Sequence, residues 1–301
     1  MNTTSLSPTA LALQRFRRHH LAVISALLLL AMVLAVAAAP LIEILLGHSA
    51  NQVDLYNRLA SPSWQHPLGT DELGRDTLLR LLYGGRVSLL TGLAAAICAA
   101  TIGTLVGLSA GYFSGRTDTL LMRFTDSIIA LPLLPLLIVL AAIDLTKLGL
   151  SAQLAGDESI SLYRIVVIVA LTGWTTVARL VRGATLSLRE REFVLAARGI
   201  GASDWLIMRR HILPNLLSPI IVAVTLSIGS VILLESVLSF LGLGIQPPLA
   251  SWGNMLTNAQ QLIWEAPQLA IYPGLLIFIT VICFNFVGDG LQDAFDPKAE
   301  N

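Results

Sequence analysis

The sequence predicts an all-α membrane protein with six transmembrane helices, on three observations. First, 55% of its 301 residues are hydrophobic and only 13% are charged, with a mean hydropathy of +0.75, whereas soluble chains are about half apolar and about a quarter charged. Second, apolar runs long enough to cross a ~30 Å hydrocarbon core recur at 21–42, 87–112, 124–143, 162–182, 216–241 and 269–288. Third, backbone groups in lipid find no water to bond, so runs of this kind fold as helices.

The first run follows Arg15, Arg17 and Arg18 and ends at Ala37-Ala38-Ala39-Pro40, which has the look of a signal peptide. From Leu21 to Ala39, however, it is 19 residues without a charge, longer than a signal h-region of about 7–15 residues. It is therefore expected to be an uncleaved span. Thr70, Asp71 and Glu72 form a helix start, and Leu78, Leu79, Leu81 and Leu82 make an apolar side before Gly84-Gly85. Residues 71–83 are accordingly expected to be a short helix on the outer interface. In the second run Ala95, Ala99, Gly103, Gly107 and Gly111 recur every fourth position, a small-residue stripe for close helix packing. The third run contains Pro132 and Pro135, which must kink or unwind it. The expected division is 1–86, an N-terminal segment carrying the first span and the interfacial helix, and 87–301, a core.

Six spans place both termini on one side. With the N-terminus in the cytoplasm, thirteen Lys and Arg fall inside, Lys298 among them, and six fall outside. The positive-inside rule then selects N-in, C-in. Total charge is balanced, 19 basic against 19 acidic residues, and argues for no nucleic-acid partner.

No GxxxxGK[ST] loop, HExxH, GxSxG or clustered His/Cys set is present, so an enzyme acting alone is not expected and no metal site is assigned. The five histidines lie outside the spans or at their edges, where a solvated or interfacial role is expected. Cys98 and Cys283 sit in apolar runs and are expected to be free core residues. Asp126 is expected to pair with Arg123, one turn away. Glu235 lies within the fifth run; an acid in hydrocarbon is a candidate pathway residue, with packing as the alternative.

Between the fourth and fifth runs lies EFVLAARGIGASDWLIMRRHILPN. Its residues predict a helix to Arg198, a break at Gly199-Ile200-Gly201, and a second short helix. Ser203 and Asp204 cap this helix, Arg209, Arg210 and His211 sit at its negative end, and Pro214 stops it. A basic loop could simply lie on anionic headgroups, but that does not account for Ala196-Ala197, the paired glycines and the proline. The stretch resembles the coupling loop of ABC importer permeases, a Glu-Ala-Ala followed by Gly and Leu-Pro. Ala196, Ala197, Gly201, Leu213 and Pro214 match, while Leu195 replaces Glu and His211 replaces Ile.

HPLGTDELGRDTLLRLLYGGRVSL, SFLGLGIQPPLASWGNML and GDGLQDAFDPK also resemble the permeases of dipeptide, oligopeptide and nickel ABC importers, in the second-permease branch. The resemblance implies a type I importer permease fold in a bacterial inner membrane. It further implies a homologous permease partner, two cytoplasmic ATPase subunits that carry ATP and Mg²⁺, and an external binding protein. Loop 190–214, including Ser203 and Asp204, would couple to the ATPase, and this chain would bind no cofactor beyond contact with lipid. Peptides are the expected substrates, with nickel or a metal chelate as the alternative. A secondary transporter would need repeated broken helices, and only one break is present; a membrane scaffold is the remaining class.

Overall fold

The computed structural model describes residues 8–149, 151, 153, 158–257 and 259–295. These form helices and loops, with one isolated bridge between Thr70 and Asp76 and no strand among the described residues. Among the described residues, five helices are long and apolar enough to cross a membrane, and a sharply bent pair makes a sixth candidate span.

Helix α1 (Pro8–Arg18) leads into α2 (His20–Ala37), whose first turn is capped where Ala22 N–H donates to His19 Nδ1 at 3.1 Å. Pro40 lies in the first turn of α3 (Ala39–Leu46), where its missing N–H would have had no partner within that helix. The run expected at 21–42 is thus two helices in succession. Gly47, at φ +76°, ends α3.

Residues 71–83 are not a separate interfacial helix. Asp76 caps α4 (Thr77–Phe113), accepting from Leu79 N–H at 2.8 Å, and the helix then runs unbroken for 37 residues, about 55 Å at 1.5 Å per residue. Asp71 instead folds the preceding turn, accepting from the N–H groups of Leu73 and Arg75, both at 2.9 Å. Gly74 (φ +73°) completes that turn; a Cβ there would lie 1.7 Å from Asp54 O. Gly84-Gly85 do not end the helix. They admit Trp252, whose ring a Cβ on Gly85 would meet at 2.8 Å and whose indole N–H donates to Leu81 O at 2.9 Å. The expected boundary between residues 86 and 87 therefore falls inside α4.

Helices α5 (Gly115–Ile129) and α6 (Leu133–Ala141) meet at 83°. Pro132 supplies the break, and Pro135 sits in the first turn of α6, where no helical acceptor awaits its N–H. Helix α7 (Glu158–Leu188) follows, then α8 (Glu192–Gly199), α9 (Asp204–Ile207) and one wide π turn (Met208–Ile212). The turn passes directly into α10 (Leu213–Phe240). Pro214 therefore stops nothing: it lies in the first turn of α10. The fold closes with α11 (Ala259–Leu262) and α12 (Gln268–Phe295); Lys298 lies outside the described residues.

Helix α4 is the hub, packed chiefly on α7 and also on α10, while α12 joins α10 to α2. The small-residue stripe explains the main seam. A Cβ on Gly103 would lie 2.6 Å from Trp174 O, on Gly107 2.4 Å from Ala178 O, and on Gly111 2.6 Å from Thr185 Cβ. Ala95 and Ala99 are buried in the same bundle.

Candidate functional site: the loop between α7 and α10

Helix α8 lies against the bundle by Val194 and Ala197, both buried. They join a cluster with Leu108 and Tyr112 of α4, Val177 and Val181 of α7, Ile207, Ile212 and Leu216. Gly201, at φ +82°, turns the chain back: its N–H donates to Arg198 O at 3.0 Å and that of Ala202 to Ala197 O at 3.1 Å. Ser203 caps α9, with Leu206 N–H at 3.4 Å from its hydroxyl. Asp204 takes a different task from the expected cap: it accepts from the Tyr112 hydroxyl at 2.6 Å. Arg198 lies over the Tyr112 ring, 5.5 Å from its centroid, and the Tyr112 hydroxyl beside it holds the guanidinium pKa above its usual value.

Of the residues read as coupling elements, Ala196 is exposed and Ala197 faces inward. Ala197 therefore serves the loop's own packing; it does not lie on the outer face. That face is built from side chains to which the sequence reading gave no weight: Ile200 (88% exposed), Trp205 (65%) and Leu195 (48%). Exposed aromatic and aliphatic groups outside the predicted spans were the signal available.

Glu235 is fully buried. It accepts from Ser239 Oγ at 2.7 Å and Ser88 Oγ at 3.3 Å, and Ser88 in turn accepts from Trp252 N–H at 3.1 Å. It therefore knits α4, α10 and the 241–257 loop together and presents no atom to an open surface, the arrangement that the packing alternative describes. Asp126 pairs with Arg179 at 2.6 Å, not with Arg123. Helix α5 lies alongside α7, and Asp118 likewise grips Arg182 of α7 at 2.5 and 2.6 Å. The histidines are not all solvated either: His48, His66 and Asp76 come together beside the start of α4.

An open groove of about 790 Å³ runs along α4 and α7. Its walls include Leu90, Ala94 and Val166, with Glu43, Tyr83 and Arg86 at one end. The Tyr83 hydroxyl donates to Glu43, which holds that carboxyl's pKa below its ordinary value.

Residues 103–301 match the family described as binding-protein-dependent transport system inner membrane component, and residues 7–62 match the N-terminal TM domain of oligopeptide transport permease C. The glutathione transport system permease protein GsiD of Pectobacterium atrosepticum is 41% identical over 96% of this chain and 90% of that protein. The dipeptide transport system permease protein DppC of Alkalihalophilus pseudofirmus is 39% identical over 99% and 92%. Among solved structures, a chain of the MetNI methionine ABC transporter in an inward-facing conformation superposes with a TM-score of 0.54 at 18% identity, covering 71% of this chain and 95% of that one. At that identity the match speaks for the fold alone. The chain belongs to the inner-membrane components of binding-protein-dependent transport systems, as a multi-pass permease subunit of an ABC importer with the type I fold.

Proposed function

We propose that this chain forms half of a translocation pathway for peptides and takes its driving force from ATPase subunits docked on the loop between α7 and α10. The observation that carries this reading is the two-sided construction of the loop. Its inner side is packed on α4 and α7, while its outer side presents Ile200, Trp205 and Leu195. A loop anchored in that way passes on a displacement that a free loop would absorb.

The partners are a homologous permease, two cytoplasmic ATPase subunits that bind ATP and Mg²⁺, and an external binding protein. This chain contributes no catalytic group. The groove along α4 and α7 is its share of the pathway, completed by the partner permease. Relatives named for glutathione, dipeptide and peptide transport favour a peptide substrate over nickel.

The test is Ile200→Asp, alone and with Trp205→Ala, in the complex reconstituted with its binding protein. Both side chains are exposed, so insertion should be normal. Retention of the ATPase subunit should weaken at least about tenfold, equal to ~1.4 kcal/mol, and ATP-driven peptide uptake should fall with it. Leu195→Glu, which restores the family residue, should be tolerated. Normal uptake by the double variant would sink the docking assignment.

A further inference from the structure

Three side chains on separate segments meet at the end of α4 opposite to the α7–α10 loop. His48 follows Gly47 at the end of α3, His66 lies in the 47–76 connection, and Asp76 caps α4. His48 Nε2 is 3.2 Å and His66 Nδ1 is 2.9 Å from the same carboxylate oxygen, Asp76 Oδ2. The Asp76 side chain is fully buried, while the imidazoles keep 16% and 17% of their surface exposed.

His48 Nδ1 lies 3.1 Å from the Leu46 carbonyl oxygen, which can only accept, so this contact orients the ring and turns its Nε2 edge toward Asp76 Oδ2.

We propose that His48, His66 and Asp76 bind one divalent transition-metal ion of the zinc class. Nitrogen and oxygen ligands at about 2.0–2.2 Å from a tetrahedral ion stand about 3.3–3.6 Å apart; the His48–Asp76 contact at 3.2 Å is near that range, and the His66–Asp76 contact at 2.9 Å opens to reach it. All three ligand atoms lie within 4.8 Å of one another, so the two imidazoles draw together when the ion binds, and both rings are partly exposed. Outer partners are in place: Leu46 O orients His48, and Leu79 N–H holds the other Asp76 oxygen. Two imidazoles with one carboxylate suit zinc and its neighbours over calcium or magnesium, which require more oxygen. The ion would pin the end of α3 and the 47–76 connection to the first turn of α4, a structural clamp beside the groove lined by Ser49, Ala50 and Asn51.

The test uses the full-length chain in detergent, stripped with chelator and dialysed against Zn²⁺ alone. Bound metal is counted by mass spectrometry, and affinity is measured by competition with a chromophoric chelator. One Zn²⁺ per chain is expected, with a tetrahedral spectrum when Co²⁺ replaces it. His48→Ala and His66→Ala should each weaken binding at least about tenfold. Asp76→Asn keeps the acceptor for Leu79 and should weaken it similarly, while His19→Ala with His211→Ala should not. Zn²⁺ should raise the Tm of the wild type and leave that of His48→Ala unchanged. A wild-type chain that takes up no Zn²⁺, or a His48→Ala variant that binds as tightly as wild type, overturns the proposal.

Discussion

Glu235 is an acid in an otherwise apolar helix, and its neighbours decide what it does. Two serine hydroxyls point at its oxygens, and one of them, Ser88, belongs to a helix 147 residues away in the chain. Glu235→Gln keeps both the size and an acceptor, so stability in detergent should change by less than ~1 kcal/mol and uptake should persist. Glu235→Ala strands Ser88 and Ser239 beside a cavity and should cost ~1–3 kcal/mol, read as a fall in Tm and in protein level. Lost transport by a stably folded Gln variant would return the residue to the pathway. The sequence showed that the acid was unusual but not which groups receive it, because a partner so distant leaves no local pattern. Ala197 illustrates the same limit: its match to the coupling motif was legible, while the direction it faces is set by Tyr112, Val181 and Ile212 across the cluster.

The six apolar runs correspond to helices because hydropathy and helix length are properties of contiguous residues, and the Pro132 break was legible for the same reason. What misled were local stop and start signals overruled by packing. Gly84-Gly85 read as a terminus but admit Trp252, and Pro214 read as a stop but opens α10. The glycines of α4 offer a quantitative check at this scale. Gly107→Ala places a Cβ 2.4 Å from Ala178 O, so α4 and α7 must separate; overpacking of this kind costs ~1–3 kcal/mol. Gly183 of α7 has open space where its Cβ would be, and Gly183→Ala should be neutral or stabilising by up to ~1 kcal/mol. Thermal unfolding of the two variants in detergent checks the contrast, and equal Tm values would mean that the α4–α7 seam is looser than described.

For the whole molecule, the charge asymmetry predicts that the 47–76 connection faces outward and the α7–α10 loop faces the cytoplasm. Single cysteines at Ser61 and Ser203, in a background without Cys98 and Cys283, should react with an impermeant reagent from opposite sides; labelling of both from outside would overturn the assignment. The two regions also share one part. Helix α4 is capped by Asp76, beside His48 and His66, and reaches Tyr112, which touches Asp204 and lies under Arg198. No joint interrupts it between those contacts. Mechanically it is a single strut, so the turn at one end and the α7–α10 loop at the other share one degree of freedom: on the proposed function, a tilt imposed at either end would reach the other without a relay of side chains between them.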